Sequence, residues 1–141
     1  MMGGYLLDTC VISEATRPHA SAKVSAWIRA TLPERMFLSV ANLAEIEQGI
    51  ATLDDVGKAK KLKAWLRDEV LPNFDARIIN VDPSVATRWG RLLGEGRRSG
   101  QPRPLMDALL AATAIEHGLS LVTRNVMDFA GFDIKIVNPW I

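Results

Sequence analysis

The stretch P-L-M-D-A-L-L-A-A-T-A-I at residues 104–115 predicts a helix that is buried on all sides. Leucine, alanine and methionine occupy every face of its helical wheel, which is typical of a helix inside a protein core. Asp107 breaks this pattern. An ionised carboxylate in apolar surroundings must lose its charge, find hydrogen-bond donors or bind a cation. Acids also suit the first turn of a helix. The apolar residues around Asp107 nevertheless favour a functional role, so we take Asp107 as the centre of a candidate site.

The composition is that of one globular domain, spanning residues 1–141. Its 141 residues are 48% hydrophobic and carry a net charge of +1, which allows one core and does not indicate a polyanion-binding protein. Residues 1–8 lack the cationic start and apolar run of a secretion signal, and no stretch approaches the roughly 20 apolar residues of a membrane span. We therefore expect a cytoplasmic protein with no membrane association. The single cysteine, Cys10, fits a reducing compartment, and having only two histidines argues against a zinc site.

Short apolar runs bounded by polar or turn residues predict five strands. They cover residues 4–7, 36–40, 77–81, 119–123 and 134–137. Helical patterns alternate with these runs, which indicates an α/β sandwich with a mostly parallel central sheet. In such sheets, functional sites form beyond the carboxyl ends of the strands.

Cap and breaker residues predict where several helices begin and end. Asp8 suits the start of one helix, and Pro72 is expected to end another, which begins at Val56. Two polar stretches, 94–104 and 124–129, are interpreted as loops because they are rich in turn-forming or charged residues.

The polar side chains near the predicted strand ends are ambiguous one by one. Asp8 suits a helix cap as well as a ligand. Glu45 lies about 120° from the apolar face of its helix, where glutamates are normally solvated. Asn125 and Asp128 fall in a stretch where turn chemistry accounts for either. Taken together with Asp107, carboxylates from different strand ends would repel one another unless a cation lay among them. Oxygen ligands favour Mg²⁺ or Mn²⁺.

Other nucleotide chemistries lack their motifs in this chain. It contains no glycine-rich phosphate loop with lysine, no G-x-G-x-x-G and no G-x-S-x-G sequence. A phosphoaspartate mechanism at Asp8 would need a second acid two residues later, where Cys10 stands. Five clustered arginines suit either a phosphate-contacting edge or a solvated helix end and loop. They are Arg88, Arg91, Arg97, Arg98 and Arg103.

Four motifs spread from the first predicted strand towards the last carry a family resemblance. They are L-L-D-T-C-V-I-S-E at 6–14, S-V-A-N-L-A-E-I-E-Q-G-I at 39–50, P-L-M-D-A-L-L-A-A-T-A at 104–114 and T-R-N-V-M-D-F at 123–129. Their order and spacing resemble the PIN-domain ribonucleases, specifically the VapC and FitB-like toxins of bacterial type II toxin-antitoxin pairs. The resemblance implies a single PIN domain, built as a three-layer α/β/α sandwich around a sheet of about five strands.

The resemblance also implies which acids bind metal. Asp8, Glu45 and Asp107 match the metal-binding acids of the family. Glu45 is chosen over Glu47 because it stands four residues before a glycine, here Gly49.

The remaining positions of the implied site show two departures from the family. The fourth acidic place falls at Asn125 or Asp128, and asparagine there would remove one negative charge. Cys10 stands where the family often carries asparagine or serine. Thr9 and Thr123 are expected to orient the acids by hydrogen bonding.

The implied activity is endonucleolytic hydrolysis of RNA by water that Mg²⁺ or Mn²⁺ activates, leaving a 5′-phosphate. Transfer RNA is one candidate substrate, and four arginines are candidates for contacting the RNA backbone. By the same resemblance the protein forms a homodimer and pairs with a VapB-like antitoxin, whose C-terminal segment wraps the fold. The four arginines that are candidates for contacting the RNA backbone are Arg97, Arg98, Arg103 and Arg124.

Two alternative functions stay open. One is a non-catalytic PIN-like module that binds RNA or a partner, and the other is a structure-specific DNA nuclease.

Overall fold

A parallel sheet of five strands forms the centre of the computed structural model, which describes residues 3–141. Met1 and Met2, part of the stretch considered above for a secretion signal, lie outside the described residues. The strands are β1 Tyr5–Leu7, β2 Met36–Ser39, β3 Ile78–Ile79, β4 Ser120–Val122 and β5 Ile136–Val137. Their order is β3-β2-β1-β4-β5, and every neighbouring pair is parallel. The predicted strands are thus present, although most are shorter than the apolar runs that predicted them.

Helices connect the strands. They are α1 Thr9–Glu14, α2 Ala22–Ala30, α3 Val40–Ala51, α4 Val56–Trp65, α5 Leu71–Phe74, α6 Pro83–Arg98, α7 Leu105–His117 and α8 Val126–Phe129. Short 3₁₀ turns occupy Pro33–Arg35 and Asp75–Arg77, and a π-helical segment, Leu66–Val70, joins α4 to α5. Within residues 3–141, every helix is too short or too polar to span a bilayer.

Two hydrophobic cores lie on opposite faces of the sheet. Leu6 and Leu121 belong to the core beneath α6 and α7, whereas Leu7 and Val122 belong to the core beneath α1 to α4. Neighbouring residues of a strand point to opposite faces, so each central strand contributes to both cores. This arrangement confirms the three-layer α/β/α sandwich.

Helix α7 is the buried helix that the opening stretch predicts, but its burial is confined to one segment. All residues from Ala108 to Ala114 are at most 5% exposed, whereas Leu105 at the start of the helix is 58% exposed. The helix ends at His117 and is capped by Gly118, which adopts a left-handed φ of 63° that glycine tolerates without strain. The amino-terminal turn, which carries Asp107, is therefore open to solvent.

Pro72 does not end the helix that begins at Val56, contrary to the prediction. The chain continues through the π-helical segment into α5, and the Leu71 amide hydrogen-bonds to the Leu66 carbonyl across this wider turn. Pro72 lies in the first turn of α5, where a missing amide hydrogen is tolerated. The proline therefore falls at a break in the hydrogen-bond pattern instead of terminating the helix.

Both stretches interpreted as loops are partly helical. Helix α6 extends through Gly94 and Gly96 to Arg98, so only residues 99–104 form a loop. A Cβ atom on Gly96 would lie 2.9 Å from the Gln101 carbonyl oxygen, so this glycine is needed where the loop folds back on α6. In the second stretch, α8 forms because Phe129 is buried in the core beneath α7.

Candidate active site

The site lies where β1 and β4 end side by side. Leu7 pairs with Val122 in the parallel sheet, so the next residues, Asp8 and Thr123, leave the sheet together. The Asp8 amide also donates to the Val122 carbonyl at 2.9 Å. This is the carboxyl edge of the sheet, where the alternation of strands and helices predicts a site.

Asp8 is held by three donors and is only 7% exposed. Its Oδ1 accepts from the Thr9 amide at 2.8 Å, so the carboxylate caps α1. Its Oδ2 accepts from the Thr123 hydroxyl at 2.7 Å, and the Cys10 thiol lies 3.8 Å from the same oxygen. Asp8 is therefore a helix cap whose second oxygen is oriented by side chains of the site.

Cys10, the departure from the family pattern, stays a neutral donor. Burial is the main cause that raises the pKa of its thiol, and the charge of Asp8 acts in the same direction. The sulfur lies 3.9 Å from the Thr123 hydroxyl. The thiol thus provides a weak hydrogen bond where asparagine or serine would provide a stronger one.

Glu45 points into the site, although its helical wheel predicts a solvated side chain. The Thr9 hydroxyl donates to Glu45 Oε1 at 3.2 Å, whereas Glu47 is exposed. The wheel prediction was wrong because α1 packs against the side of α3 that carries Glu45. Burial and the charges of Asp8 and Asp107 raise the pKa of Glu45, with the Thr9 hydrogen bond opposing them.

Asn42 belongs to this network and was missed by the sequence reasoning. It is fully buried, and its Nδ2 donates to the Thr9 hydroxyl at 3.0 Å. Its Oδ1 accepts from the Ser39 amide at 2.8 Å, which completes a capping box at the start of α3. The available signal was the S-V-A-N sequence at 39–42, whose serine and asparagine are three residues apart as in a capping box.

Asp107, in the first turn of α7, is influenced by the charges of other acids of the site. Burial raises the pKa of this half-buried carboxyl, and the charges of Asp128 and Asp8 raise it further. Since Glu45 in turn responds to the charges of Asp8 and Asp107, the four carboxylates are electrostatically coupled. The acids that influence one another's charge in this way are Asp8, Glu45, Asp107 and Asp128.

Asn125 and Asp128 differ in their relation to this cluster. Asn125 is exposed, and its backbone amide donates to the Thr123 hydroxyl at 3.0 Å. Its side chain forms no hydrogen bond with residues 3–141. Asp128, in α8, is the acid whose charge acts most strongly on Asp107. Asp128 is thus the one of the two whose charge acts on the cluster, although its side chain is exposed like that of Asn125.

The spacing of the acids bears on whether they could bind a cation. Among residues 3–141, no group of three or more histidine, cysteine, aspartate or glutamate side chains is placed so that it could hold a metal ion. Mg²⁺ usually keeps several waters and is bound through one or two carboxylates. The oxygen-only donor set fits that mode of binding, and a cation would relieve the repulsion that raises the pKa values of Glu45 and Asp107.

The predicted RNA-contacting arginines separate into two groups. Arg97 and Arg98 lie exposed in the last turn of α6, and Arg124 is exposed with its guanidinium 5.5 Å from the Trp140 ring centroid.

Arg103 is instead engaged within the fold. It donates to the Gly131 carbonyl at 2.9 Å and lies 4.2 Å from the Phe132 ring centroid. Its buried Nε has no hydrogen-bond partner among the described residues. Arg103 thus links the loop before α7 to the segment after α8.

Comparison with known proteins agrees with this architecture. Residues 5–133 match the PIN domain family. The chain is 35% identical to the toxin FitB of Neisseria gonorrhoeae over 135 residues, which cover 96% of this chain and 97% of that protein. It is 32% identical to the VapC ribonuclease Y4jK of Sinorhizobium fredii, with 96% of each covered. The crystal structure of FitAcB from N. gonorrhoeae matches with a TM-score of 0.89 at 34% identity, covering 96% of this chain and 98% of that chain. The resemblance is confirmed, and the chain belongs to the PIN-domain family, in the group that contains FitB and the VapC ribonucleases.

Proposed function

We propose that this protein is a metal-dependent endoribonuclease and the toxin of a type II toxin-antitoxin pair. The observation that carries the proposal is the placement of Asp8 at the carboxyl end of β1, where Thr123 and Thr9 hydrogen-bond to it and the Thr9 hydroxyl also donates to Glu45. The charges of Asp107 and Asp128 act on the same group of acids. The name of the relative Y4jK, a VapC ribonuclease, supports RNA as the substrate class. The name of FitB, a toxin, supports the biological role.

In the proposed mechanism, Asp8 and Asp107 would hold Mg²⁺ or Mn²⁺, with Glu45 and Asp128 as further oxygen donors to the site. The bound cation would acidify a water molecule and neutralise charge that develops on the phosphoryl group. Thr9 and Thr123 keep Asp8 in one orientation through their hydrogen bonds.

Glu45, which the Thr9 hydroxyl orients through a hydrogen bond, would accept the proton of the attacking water. In-line attack by water does not use the 2′-hydroxyl, so the product carries a 5′-phosphate. No side-chain nucleophile takes part, and the thiol of Cys10 stays protonated because burial raises its pKa.

We also propose a cognate antitoxin as the partner and a homodimer as the assembly, acting in the cytoplasm. A solved structure similar to this chain, at 28% identity and a TM-score of 0.70, is a toxin-antitoxin complex from Klebsiella pneumoniae. An acidic site that attracts a cation also attracts an arginine guanidinium. An antitoxin arginine inserted among the four carboxylates would therefore inhibit the enzyme.

The decisive experiment is cleavage of total RNA and transfer RNA by the purified protein with Mg²⁺ or Mn²⁺. Controls are EDTA and an Asp107→Asn variant whose folding is verified by thermal melting. Cleavage that yields 5′-phosphates and disappears in both controls supports the proposal. A 2′,3′-cyclic phosphate product contradicts the mechanism. RNA binding without turnover identifies a non-catalytic module, and preferential cleavage of flap DNA identifies a structure-specific DNA nuclease.

A further inference from the structure

The side chain of Asn42 is fully buried in the first turn of α3, one turn before Glu45. A buried side-chain amide needs partners for both its oxygen and its nitrogen, because an unpartnered polar group is unfavourable away from water. Asn42 has one partner for each. The Ser39 amide donates to its Oδ1 at 2.8 Å, and its Nδ2 donates to the Thr9 hydroxyl at 3.0 Å. Asn42 thus joins the last residue of β2 to the first residue of α1.

The contact with Ser39 fixes the direction of the hydrogen bonds that follow. A backbone N–H can only donate, so Oδ1 of Asn42 must face Ser39 and Nδ2, which also can only donate, must face Thr9. The Thr9 oxygen therefore accepts from Asn42, and its single proton is left for another acceptor. That acceptor is Glu45 Oε1, at 3.2 Å. We call these three residues the Asn42–Thr9–Glu45 network.

Thr9 contacts two acids of the site through different groups. Its backbone amide donates to Asp8 Oδ1 at 2.8 Å, whereas its hydroxyl donates to Glu45. Asn42 contacts only the hydroxyl, so its influence reaches Glu45 and leaves the Thr9–Asp8 bond unchanged. Among residues 3–141, the Thr9 hydroxyl is also the single hydrogen-bond donor to the Glu45 carboxylate. The orientation of this flexible side chain therefore depends on how Thr9 directs its proton.

We propose that Asn42 is a positioning residue of the site, which acts through the Thr9 hydroxyl to hold Glu45 in one orientation. Asn42 is fully buried, so it contacts neither RNA nor metal itself. This inference rests on the proposed ribonuclease function, in which Glu45 accepts the proton of the attacking water. Removing a side chain that orients a metal ligand by hydrogen bonding typically lowers metal affinity or activity by about tenfold to a hundredfold.

Asn42 also caps α3, so the first test separates capping from positioning. Ser39→Ala is the matched control, because the fully buried Ser39 hydroxyl forms part of the same capping box by accepting from the Ala41 amide at 3.0 Å. This variant keeps the backbone amide that holds Asn42. Both Ser39→Ala and Asn42→Leu should lower the midpoint of urea denaturation. Only Asn42→Leu should also lower kcat, by about tenfold to a hundredfold, with an unchanged KM for RNA.

The second test asks whether Asn42 acts through Thr9. Thr9→Val removes the hydroxyl and keeps the backbone amide that donates to Asp8. It should lower kcat and Mn²⁺ affinity, measured by calorimetric titration, about as much as Asn42→Leu does. In the Thr9→Val background, Asn42→Leu should cause no further loss of either quantity, because the two residues act in series. Thr9→Ser retains a hydroxyl and should recover most of the loss.

The outcomes separate the Asn42–Thr9–Glu45 network from the proposed function. A parent that cleaves RNA while the losses of Asn42→Leu and Thr9→Val are independent overturns the network and leaves the ribonuclease intact. Equal losses of kcat in Ser39→Ala and Asn42→Leu also overturn it. A parent that binds Mn²⁺ without cleaving, with non-additive losses of affinity, supports the network and overturns the ribonuclease. A parent that neither binds Mn²⁺ nor cleaves overturns both. If Asn42→Leu does not fold, Asn42→Ser takes its place in the cycle, since its shorter side chain cannot span from Ser39 to Thr9.

Discussion

The Thr123 hydroxyl donates a 2.7 Å hydrogen bond to Asp8 Oδ2, joining residues 115 positions apart in the chain. The bond forms because β1 and β4 are adjacent and parallel, and both residues follow paired strand ends. The Thr123 oxygen also accepts from the Asn125 amide at 3.0 Å. One buried hydroxyl thus connects the segment that leads to Asp128 with the carboxylate of Asp8.

Replacing Thr123 with valine should weaken metal binding. Thr123→Val keeps the shape of the side chain but removes the short hydrogen bond to Asp8 Oδ2, which leaves that oxygen with only the weak thiol donor of Cys10. We expect about a tenfold to hundredfold loss of Mn²⁺ affinity, in line with other side chains that orient metal ligands. Calorimetric titration with Mn²⁺ measures this, and Thr123→Ser is the control that retains the hydroxyl. Equal affinity in parent and valine variant would show that Asp8 needs no such partner.

Asp107→Asn should stabilise the metal-free protein at neutral pH. Burial and the charges of Asp128 and Asp8 raise the folded-state pKa of Asp107 above its ordinary value of 3.8. Its contribution to stability is fully present below 3.8 and is lost as pH rises through the raised folded value. At neutral pH the ionised side chain is therefore unfavourable, and the amide removes that penalty.

Thermal melting in EDTA over a range of pH tests this prediction. The melting temperature of Asp107→Asn should exceed that of the parent at neutral pH, and the difference should shrink as the pH approaches 3.8. Excess Mg²⁺ should raise the melting temperature of the parent more than that of the variant, because ligand binding to the folded state stabilises it. A variant less stable than the parent at neutral pH without metal would contradict the assigned cause.

Acidification should weaken metal binding before it unfolds the protein. Glu45 and Asp107 both have raised pKa values, and protons compete with the cation for carboxylates. The Mn²⁺ affinity should begin to fall at a pH above the ordinary values of 4.5 and 3.8. Titrations at decreasing pH, with circular dichroism to confirm folding, measure this. An affinity independent of pH down to 4.5 would exclude both acids as ligands.

Asp128 and Asn125 should respond differently to substitution. Asp128→Asn removes a charge that acts on Asp107, so RNA cleavage should fall by about tenfold or more. Asn125→Ala keeps the backbone amide that donates to Thr123, and its activity should stay within about twofold of the parent. Initial rates at saturating Mg²⁺ compare the two variants. The reverse ranking would assign the fourth position of the site to Asn125.

Two helical glycines should respond oppositely to alanine. A Cβ on Gly96 would lie 2.9 Å from the Gln101 carbonyl oxygen and 3.0 Å from Arg103 Cγ, so Gly96→Ala should destabilise the fold by about 1–3 kcal/mol. Gly49→Ala meets no atom within 4 Å and should stabilise α3 by up to about 1 kcal/mol. Urea denaturation gives both free energies of unfolding. Similar effects at both positions would contradict the close packing of Arg103 against α6.

The local sequence of this protein determined the features that depend on neighbouring residues. The apolar run around Asp107 predicted a buried helix that carries one acid in apolar surroundings. The position of Asp8 directly after an apolar strand predicted a helix cap. Alternation of strands and helices predicted the parallel sheet and the edge that carries the site. These predictions succeeded because burial, capping and strand alternation are set by residues close together in the chain.

Only the tertiary structure decided which side chains meet. The helical wheel of α3 predicts that Glu45 is solvated, but α1 covers that side and Thr9 donates to it. The charge of Asp128 acts on Asp107 because α8 packs against α7. Arg103 became a link between two segments because Gly131 and Phe132 lie beside it. Such contacts join residues far apart in the chain, and their geometry is set by packing that no local pattern encodes.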